Sequence, residues 1–132
     1  MRDLRGRFEG IRVVGDVHGD AGAFHAAVDG AAAEKLFVIQ LGDLTDGGSD
    51  GPDVLRRAFA LRAEGRGLFM LGNHDHKLRR ALEGASLRIE ASGLGRTLEQ
   101  IGASGDAESL RRRAVEEIGR APAWLRIDQR LF

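Results

Sequence analysis

Residues 11–19 read IRVVGDVHG, a short apolar run that ends in a glycine followed by Asp16 and His18. The same order recurs twice, because residues 36–43 read LFVIQLGD and residues 68–75 read LFMLGNHD. Short and nearly unbroken apolar runs are typical of strands that are buried on both faces of a parallel sheet. The sequence therefore predicts a sheet built on three such strands.

The two segments between these strands have helical patterns. Apolar side chains recur at helical spacing over residues 20–32 and again over residues 52–64. Pro52 suits the first turn of the second helix, Asp50 is placed to cap it, and Gly65 marks its end. The order β-α-β-α-β with connections of this length indicates right-handed crossovers within one sheet, and hence an α/β fold.

The rest of the chain is predicted to be mainly helical, up to a terminal hairpin. Apolar residues alternate around the polar pair 128–129, which favours a hairpin formed by residues 124–127 and 130–132. One short extended piece is predicted at residues 87–89. Three further segments carry apolar residues at helical spacing: 74–82, 97–101 and 108–118.

Composition excludes some classes of protein and makes others less favoured. The 132 residues fit one domain, and 20 basic against 20 acidic residues give no net charge to attract nucleic acid or an anionic membrane. The sequence has no cysteine, so disulfides, thiolate metal sites and cysteine nucleophiles are excluded. No apolar run approaches the roughly 20 residues of a membrane span. Since the charged start also lacks the core of a signal peptide, we expect a cytoplasmic protein.

Metal-ligand residue types collect where each predicted strand ends. Ligands of an open α/β sheet bind beyond the carboxyl ends of its strands, so the three clusters should project towards one rim. Asp16 and His18 stand two apart and can face one ion, while Asp43 has two oxygens and can bridge two ions. Asn73 adds an amide oxygen, and this mixed donor set suits Mn, Fe or Zn better than Ca or Mg.

Metal-ligand residues grouped in this way indicate an enzyme that transfers or hydrolyses phosphoryl groups. Two ions roughly 3.5–4 Å apart can hold a hydroxide and clamp a phosphoryl group for in-line displacement. His74 follows Asn73 and is placed to protonate a leaving oxygen, with Asp75 or Asp46 to orient its ring. A Gly-Asp pair alone usually marks a turn, but three clusters spaced 27 and 30 residues apart after buried strands favour a metal site.

The motifs GDVHG (15–19), GDLTDGG (42–48) and GNHD (72–75) resemble those of the calcineurin-like metallophosphoesterase superfamily, on its phosphoprotein-phosphatase side. Residues 72–100 are similar to the phosphatase module of bacterial polynucleotide kinase-phosphatases and to the related bacterial dinucleoside tetraphosphatases. The resemblance covers most of the chain from Ile11 onward. It implies a β-sandwich flanked by helices, with the β-α-β-α-β unit as its first half.

The resemblance also implies a ligand set for two divalent metal ions, Mn²⁺ first and Fe or Zn as alternatives. Asp16 and His18 would bind the first ion, and Asp43 would bridge the two. Asn73 would bind the second ion. The implied reaction is hydrolysis of a phosphate ester by a metal-activated hydroxide.

For proton transfer, the resemblance implies His74 as the general acid and Asp75 as its acidic neighbour. The residues themselves leave Asp46 as a second group that could orient His74. In the same motif the family usually shows Asp-Arg-Gly, where this chain has Gly47 after Asp46, so the arginine that grips the phosphate is missing. Lys77, Arg79 and Arg80 are candidates to replace it, but charges on an exposed helix face explain these residues better.

A second departure concerns the end of the chain. Members of the family continue into a second sheet, whose strands deliver two further histidines to the second metal ion. This chain stops at Phe132, where the strand leading to the first of them would begin, and His25 and His76 fall in helical patterns. We therefore expect residues 1–132 to form a single, C-terminally truncated domain that lacks most of the second sheet.

Three functions remain open from the sequence. The leading one is a phosphatase acting on phosphoprotein, nucleotide or polynucleotide phosphates. The alternative is a degenerate, non-catalytic scaffold that retains the fold and one metal ion, motivated by the missing arginine and histidines. A nucleic-acid-binding module depends only on Arg111–Arg113 and the subfamily resemblance, and a solvated helix face explains these arginines better.

Overall fold

The computed structural model describes residues 6–85 and 93–126. Three parallel strands form one sheet in the order β1-β2-β3. In the register of the sheet, Val14 pairs with Gln40 and Gln40 pairs with Phe69, so the three strands end level with one another at one edge. This confirms the predicted α/β fold. The strands are β1 (Gly10–Val14), β2 (Leu36–Gln40) and β3 (Gly67–Phe69).

Helices follow each strand, as predicted. Asp20 caps the first helix by accepting the Ala23 N–H at 3.0 Å, and Asp50 caps the second by accepting the Asp53 N–H at 3.2 Å. None of the helices in the described part of the chain is long and apolar enough to cross a membrane. The helices are α1 (Ala21–Ala33), α2 (Gly51–Ala63), α3 (Asn73–Leu82), α4 (Leu94–Gly102) and α5 (Ala107–Arg120).

The two faces of the sheet are covered differently. Val38 and Phe69 belong to the main hydrophobic core, together with buried side chains of all five helices. Phe37 and Ile39 are buried on the opposite face, where Phe8 packs edge-on against Phe37. On that face Val13 of β1 is 50% exposed. Burial on both faces is therefore confirmed for β2. For β1 the prediction is wrong, because β1 is an edge strand and the described helices pack on the other face of the sheet.

The end of the described chain differs from its prediction. Residues 124–126, the described part of the first predicted hairpin strand, do not form a strand. The chain leaves α5 through Pro122, whose carbonyl accepts the Leu71 N–H at 2.8 Å, and Trp124 is then 77% exposed. The predicted extended piece 87–89 and the second hairpin strand 130–132 lie outside the described residues. The described part of the chain thus contains one three-stranded sheet.

Candidate metal centre

The loops that follow β1 and β2 bring Asp16, His18 and Asp43 together. Each offers a ligand atom that lies within 4.8 Å of the other two. Nε2 of His18 is 3.4 Å from Oδ2 of Asp16. Asp16 is exposed and the other two are half-buried, so the group is open to solvent on one side. Three of the four predicted metal ligands therefore share one small volume at the carboxyl edge of the sheet.

Backbone hydrogen bonds lock these two loops onto each other. The N–H groups of Val17 and His18 both donate to the Asp43 carbonyl, at 3.2 and 3.0 Å, and the Gly19 N–H donates to the Leu44 carbonyl at 2.8 Å. His18 and Asp43 have positive φ angles of 47° and 54°. Such conformations cost about 1–3 kcal/mol at non-glycine residues and persist where the surroundings enforce them. The interlocked loops supply that enforcement, which presets the ligand positions.

The tautomer of His18 also suits metal binding. Its Nδ1 lies 3.1 Å from the Thr45 carbonyl, an acceptor, so Nδ1 carries the proton. The lone pair of Nε2 is then directed to the side on which Asp16 lies. A backbone carbonyl on the second ring nitrogen is the usual way in which a metal-binding histidine is oriented.

Gln40 supports the same edge, and sequence reasoning missed it. This buried side chain donates to the Gly15 carbonyl at 3.1 Å and to the Gly42 carbonyl at 2.6 Å. It also accepts the Gly42 N–H at 2.7 Å. Gln40 therefore joins the ends of β1 and β2. The one available signal was a polar residue inside an otherwise apolar run.

The third cluster lies beside Asp43. The His74 N–H donates to Oδ1 of Asp43 at 3.0 Å. A Cβ atom at Gly72 would stand 2.5 Å from both the N and Oδ1 of Asp43, so only glycine permits this approach. Asn73 lies between them as the first residue of α3, and it is exposed. The backbone thus places the fourth predicted ligand on the Asp43 side of the rim.

His74 is paired with Asp46. Its Nδ1 is 3.0 Å from Oδ2 of Asp46, and its ring lies edge-on to the His18 ring at a centroid distance of 5.0 Å. The Asp46 side chain is completely buried. Its other oxygen, Oδ1, accepts hydrogen bonds from the hydroxyls of Thr45 at 3.1 Å and Thr97 at 2.5 Å. Of the two carboxylates that the sequence offered for orienting His74, Asp46 is the one in contact with the ring.

Asp75 instead holds the backbone of the rim. It is fully buried and accepts the N–H groups of Gly72, Asp43 and Leu44 at 2.9, 2.8 and 3.0 Å. Burial raises the pKa of the Asp75 carboxyl, although the three N–H groups act in the opposite direction. Asp75 therefore joins the loops after β2 and β3, a role that the sequence did not indicate.

The loop at Gly47, where the family arginine would stand, borders the metal-ligand group. A Cβ atom at Gly47 would stand 3.6 Å from Cβ of His18. Arg79 is one of the three residues proposed to replace the missing arginine. Its Nε lies 2.9 Å from Oε1 of Glu83, and its guanidinium packs on Gly119 of α5. Arg79 thus faces the helical layer. Lys77 and Arg80 are exposed on α3.

Helix α4 packs against this loop as well. A Cβ atom at Gly93, the residue before α4, would stand 3.3 Å from the Gly47 nitrogen. Gln100 donates to the Ser49 carbonyl at 3.0 Å and accepts the Gly51 N–H at 3.2 Å. Helix α4 therefore holds the path of the loop that contains Gly47.

Comparison with known proteins agrees with this architecture. A crystal structure of a candidate diadenosine tetraphosphatase matches 89% of the chain with a TM-score of 0.55 and 22% sequence identity, which shows a shared fold. The match covers 45% of that protein, so this chain spans less than half of its length. No protein of curated function matches significantly. The sequence model of the family described as calcineurin-like phosphoesterase matches residues 10–126. The chain therefore belongs to the calcineurin-like phosphoesterase family.

Proposed function

We propose that this chain carries the catalytic rim of a metal-dependent phosphoesterase that hydrolyses phosphate esters. One observation carries the proposal. Ligand atoms of Asp16, His18 and Asp43 lie within 4.8 Å of one another, and the paired His74 and Asp46 stand directly beside them. Metal ligands next to a histidine that pairs with a buried carboxylate are what metal-assisted hydrolysis with an acid for the leaving group requires.

The donor set fits a borderline divalent ion. Two carboxylates and a neutral imidazole suit Mn, Fe or Zn, and Mn²⁺ is the ion we propose first. Asp43 and Asn73 are the proposed donors to a second ion. When bound, such ions polarise the phosphoryl oxygens and lower the pKa of a bound water so that hydroxide is available near neutral pH.

His74 completes the proposed reaction as the general acid. Because Nδ1 faces the Asp46 carboxylate, the transferable proton is the one on Nε2. As the bond between phosphorus and the ester oxygen breaks, that oxygen takes the proton from Nε2. The buried Asp46 stabilises the imidazolium before transfer and keeps the ring in one orientation.

The proposed substrates are phosphoprotein, nucleotide or polynucleotide phosphates. The solved structure described as a candidate diadenosine tetraphosphatase makes a dinucleoside polyphosphate the first natural substrate to test. We further propose that residues 1–132 act as one domain of this family.

The proposal is tested by hydrolysis of an aryl phosphate and of a dinucleoside tetraphosphate, with and without Mn²⁺. We expect Mn²⁺-dependent turnover by the wild-type chain and its loss in Asp43→Asn. Asp29→Asn is the matched control, since Asp29 is exposed on α1 and pairs with Arg57 away from the rim. Turnover that survives a chelator or the Asp43→Asn substitution would contradict the proposal.

A second candidate function is a non-catalytic scaffold with one metal ion. The observations that favour it are Gly47 in place of the family arginine and a second metal position to which the described residues offer Asp43 and Asn73. This alternative predicts Mn²⁺ binding without hydrolysis of either substrate. The same pair of assays therefore separates the two functions.

A further inference from the structure

We propose that Thr97 is a positioning residue for the general acid. Its hydroxyl fixes the Asp46 carboxylate so that the second oxygen of that carboxylate stays on Nδ1 of His74. This inference rests on the proposed function, since it assigns a purpose to the His74–Asp46 pair. Thr97 lies on α4, 51 residues beyond Asp46, and nothing in the three sequence motifs points to it.

The two oxygens of Asp46 have separate partners. Oδ1 accepts from the Thr97 hydroxyl at 2.5 Å and from the Thr45 hydroxyl at 3.1 Å, whereas Oδ2 faces Nδ1 of His74 at 3.0 Å. The Asp46 side chain has no exposed surface, so water does not compete for these positions. A buried carboxylate requires such donors, because an unsatisfied buried charge is strongly unfavourable.

Thr97 and Thr45 differ in what they are attached to. Thr45 precedes Asp46 in the same loop and moves with it. Thr97 belongs to α4, which is anchored in the core by the fully buried Leu94 and Ile101. Of the two hydroxyl groups, that of Thr97 therefore ties the carboxylate to a separate helix that is anchored in the core.

The hydroxyl of Thr97 has one proton to donate, and Asp46 is its better acceptor. The alternative acceptor, the Gly93 carbonyl, is 3.4 Å away. Asp46 also has a positive φ of 72°, a conformation that non-glycine residues rarely adopt. The Thr97 hydroxyl supplies a contact from outside this loop that holds the orientation of the carboxylate.

The test compares Thr97→Val, which removes the hydroxyl at nearly constant shape, with Thr97→Ser, which keeps it. General acid catalysis matters for a poor leaving group and is dispensable for a good one. We therefore expect Thr97→Val to lower kcat about tenfold for phenyl phosphate. For a nitro-activated aryl phosphate, and for Thr97→Ser with either ester, turnover should stay close to that of the wild type.

Gln100→Met is the matched control for loosened packing of α4. Gln100 is held by the backbone of residues 48–51 and does not contact Asp46. Any loss of turnover in this variant should be equal for the two esters. Equal losses for the two esters in Thr97→Val, or no loss, would overturn the proposal.

A second measurement separates this inference from the proposed function. Nitrogen-15 NMR of the metal-free protein reports which ring nitrogen of His74 carries the proton, whether or not the chain has turnover. We expect the Nδ1–H tautomer in the wild type and in Thr97→Ser, and a mixture of tautomers in Thr97→Val. If the wild type lacks turnover, the proposed function is wrong, and the His74 tautomers alone then test the role of Thr97. Identical His74 spectra in all three proteins would then overturn the role of Thr97.

Discussion

The two halves of the rim are built to different degrees by this chain. In the half formed by the ends of β1 and β2, Asp16, His18 and Asp43 lie together, and backbone hydrogen bonds lock their loops. In the half formed after β3, Asn73 is exposed at the start of a helix. Asp43 is the proposed ligand that the two halves share. One β-α-β unit therefore suffices to bring three candidate metal ligands together. For the proposed second position, the described residues offer Asp43 and Asn73.

Replacing one candidate ligand in each half tests this asymmetry. Asp16→Asn should weaken the tightest Mn²⁺ binding at least about 100-fold, because even groups that merely orient a metal ligand change affinity 10–100-fold. Asn73→Ala should change the same affinity by less than about threefold, since it belongs to the other half. Isothermal titration calorimetry with Mn²⁺ measures both, with Asp29→Asn as the control.

If Asn73→Ala weakened the tight site as much as Asp16→Asn, the two halves would form one cooperative site. The asymmetry would then be wrong.

The first half could be predicted from sequence because a strand end fixes where the following side chains project. Short apolar runs gave the strands, and Asp16, His18 and Asp43 followed directly after them. The contact between Thr97 and Asp46 could not be predicted in the same way. It depends on how α4 packs across the loop, and 51 residues separate the two partners.

Asp75 shows a second limit of sequence reasoning. Its position next to His74 predicted that Asp75 would assist the general acid, and a carboxylate can perform that role. Its orientation is decided instead by the three backbone N–H groups that converge on it once α3 begins. The direction of a side chain at a helix start is set by the local backbone, which residue type does not reveal.

The next largest effect concerns the glycines of the rim. Gly72→Ala would place a Cβ atom 2.5 Å from the Asp43 nitrogen, a backbone atom that cannot yield. We expect a loss of about 3 kcal/mol in the free energy of unfolding, at the upper end of overpacking effects. Gly15→Ala is the control, since nothing lies within 4 Å of its added Cβ, and it should change stability by about 0.5 kcal/mol or less. Urea unfolding of both variants measures the difference, and equal stabilities would contradict the close approach of the two loops.

A smaller effect is expected from Asp75→Asn. The amide cannot accept all three N–H groups, so the free energy of unfolding should fall by about 1–2 kcal/mol. Because burial raises the pKa of Asp75, the folded protein binds this proton more tightly than the unfolded chain. The stability that Asp75 contributes is therefore greatest below about pH 4 and decreases as the pH rises through the raised pKa.

Urea unfolding of wild type and Asp75→Asn across this pH range measures that dependence. The difference between the two proteins should shrink as the pH rises. A difference that grows with pH would mean that the charged form of Asp75 is the stabilising one.

The smallest effect lies far from the rim. Arg56 of α2 donates to both oxygens of Asp106, at 3.0 and 2.6 Å, and this pairing lowers the pKa of the Asp106 carboxyl. Arg56→Gln should lower the melting temperature only slightly, since exposed ion pairs contribute little and are screened by salt. The effect should be present above about pH 4 and vanish as the pH falls. Calorimetry at low and high salt measures the melting temperature. If Arg56→Gln lowered the melting temperature more than Asp75→Asn does, the small contribution of this ion pair would be contradicted.

We expect this chain to hold one complete metal position and one incomplete position. The most direct measurement is the Mn²⁺ stoichiometry of the wild-type chain, from electron paramagnetic resonance of free Mn²⁺ during a titration. We expect one tightly bound ion per chain, which is lost in Asp16→Asn and retained in Asn73→Ala. Two equally tight ions, or no tight ion, would contradict it.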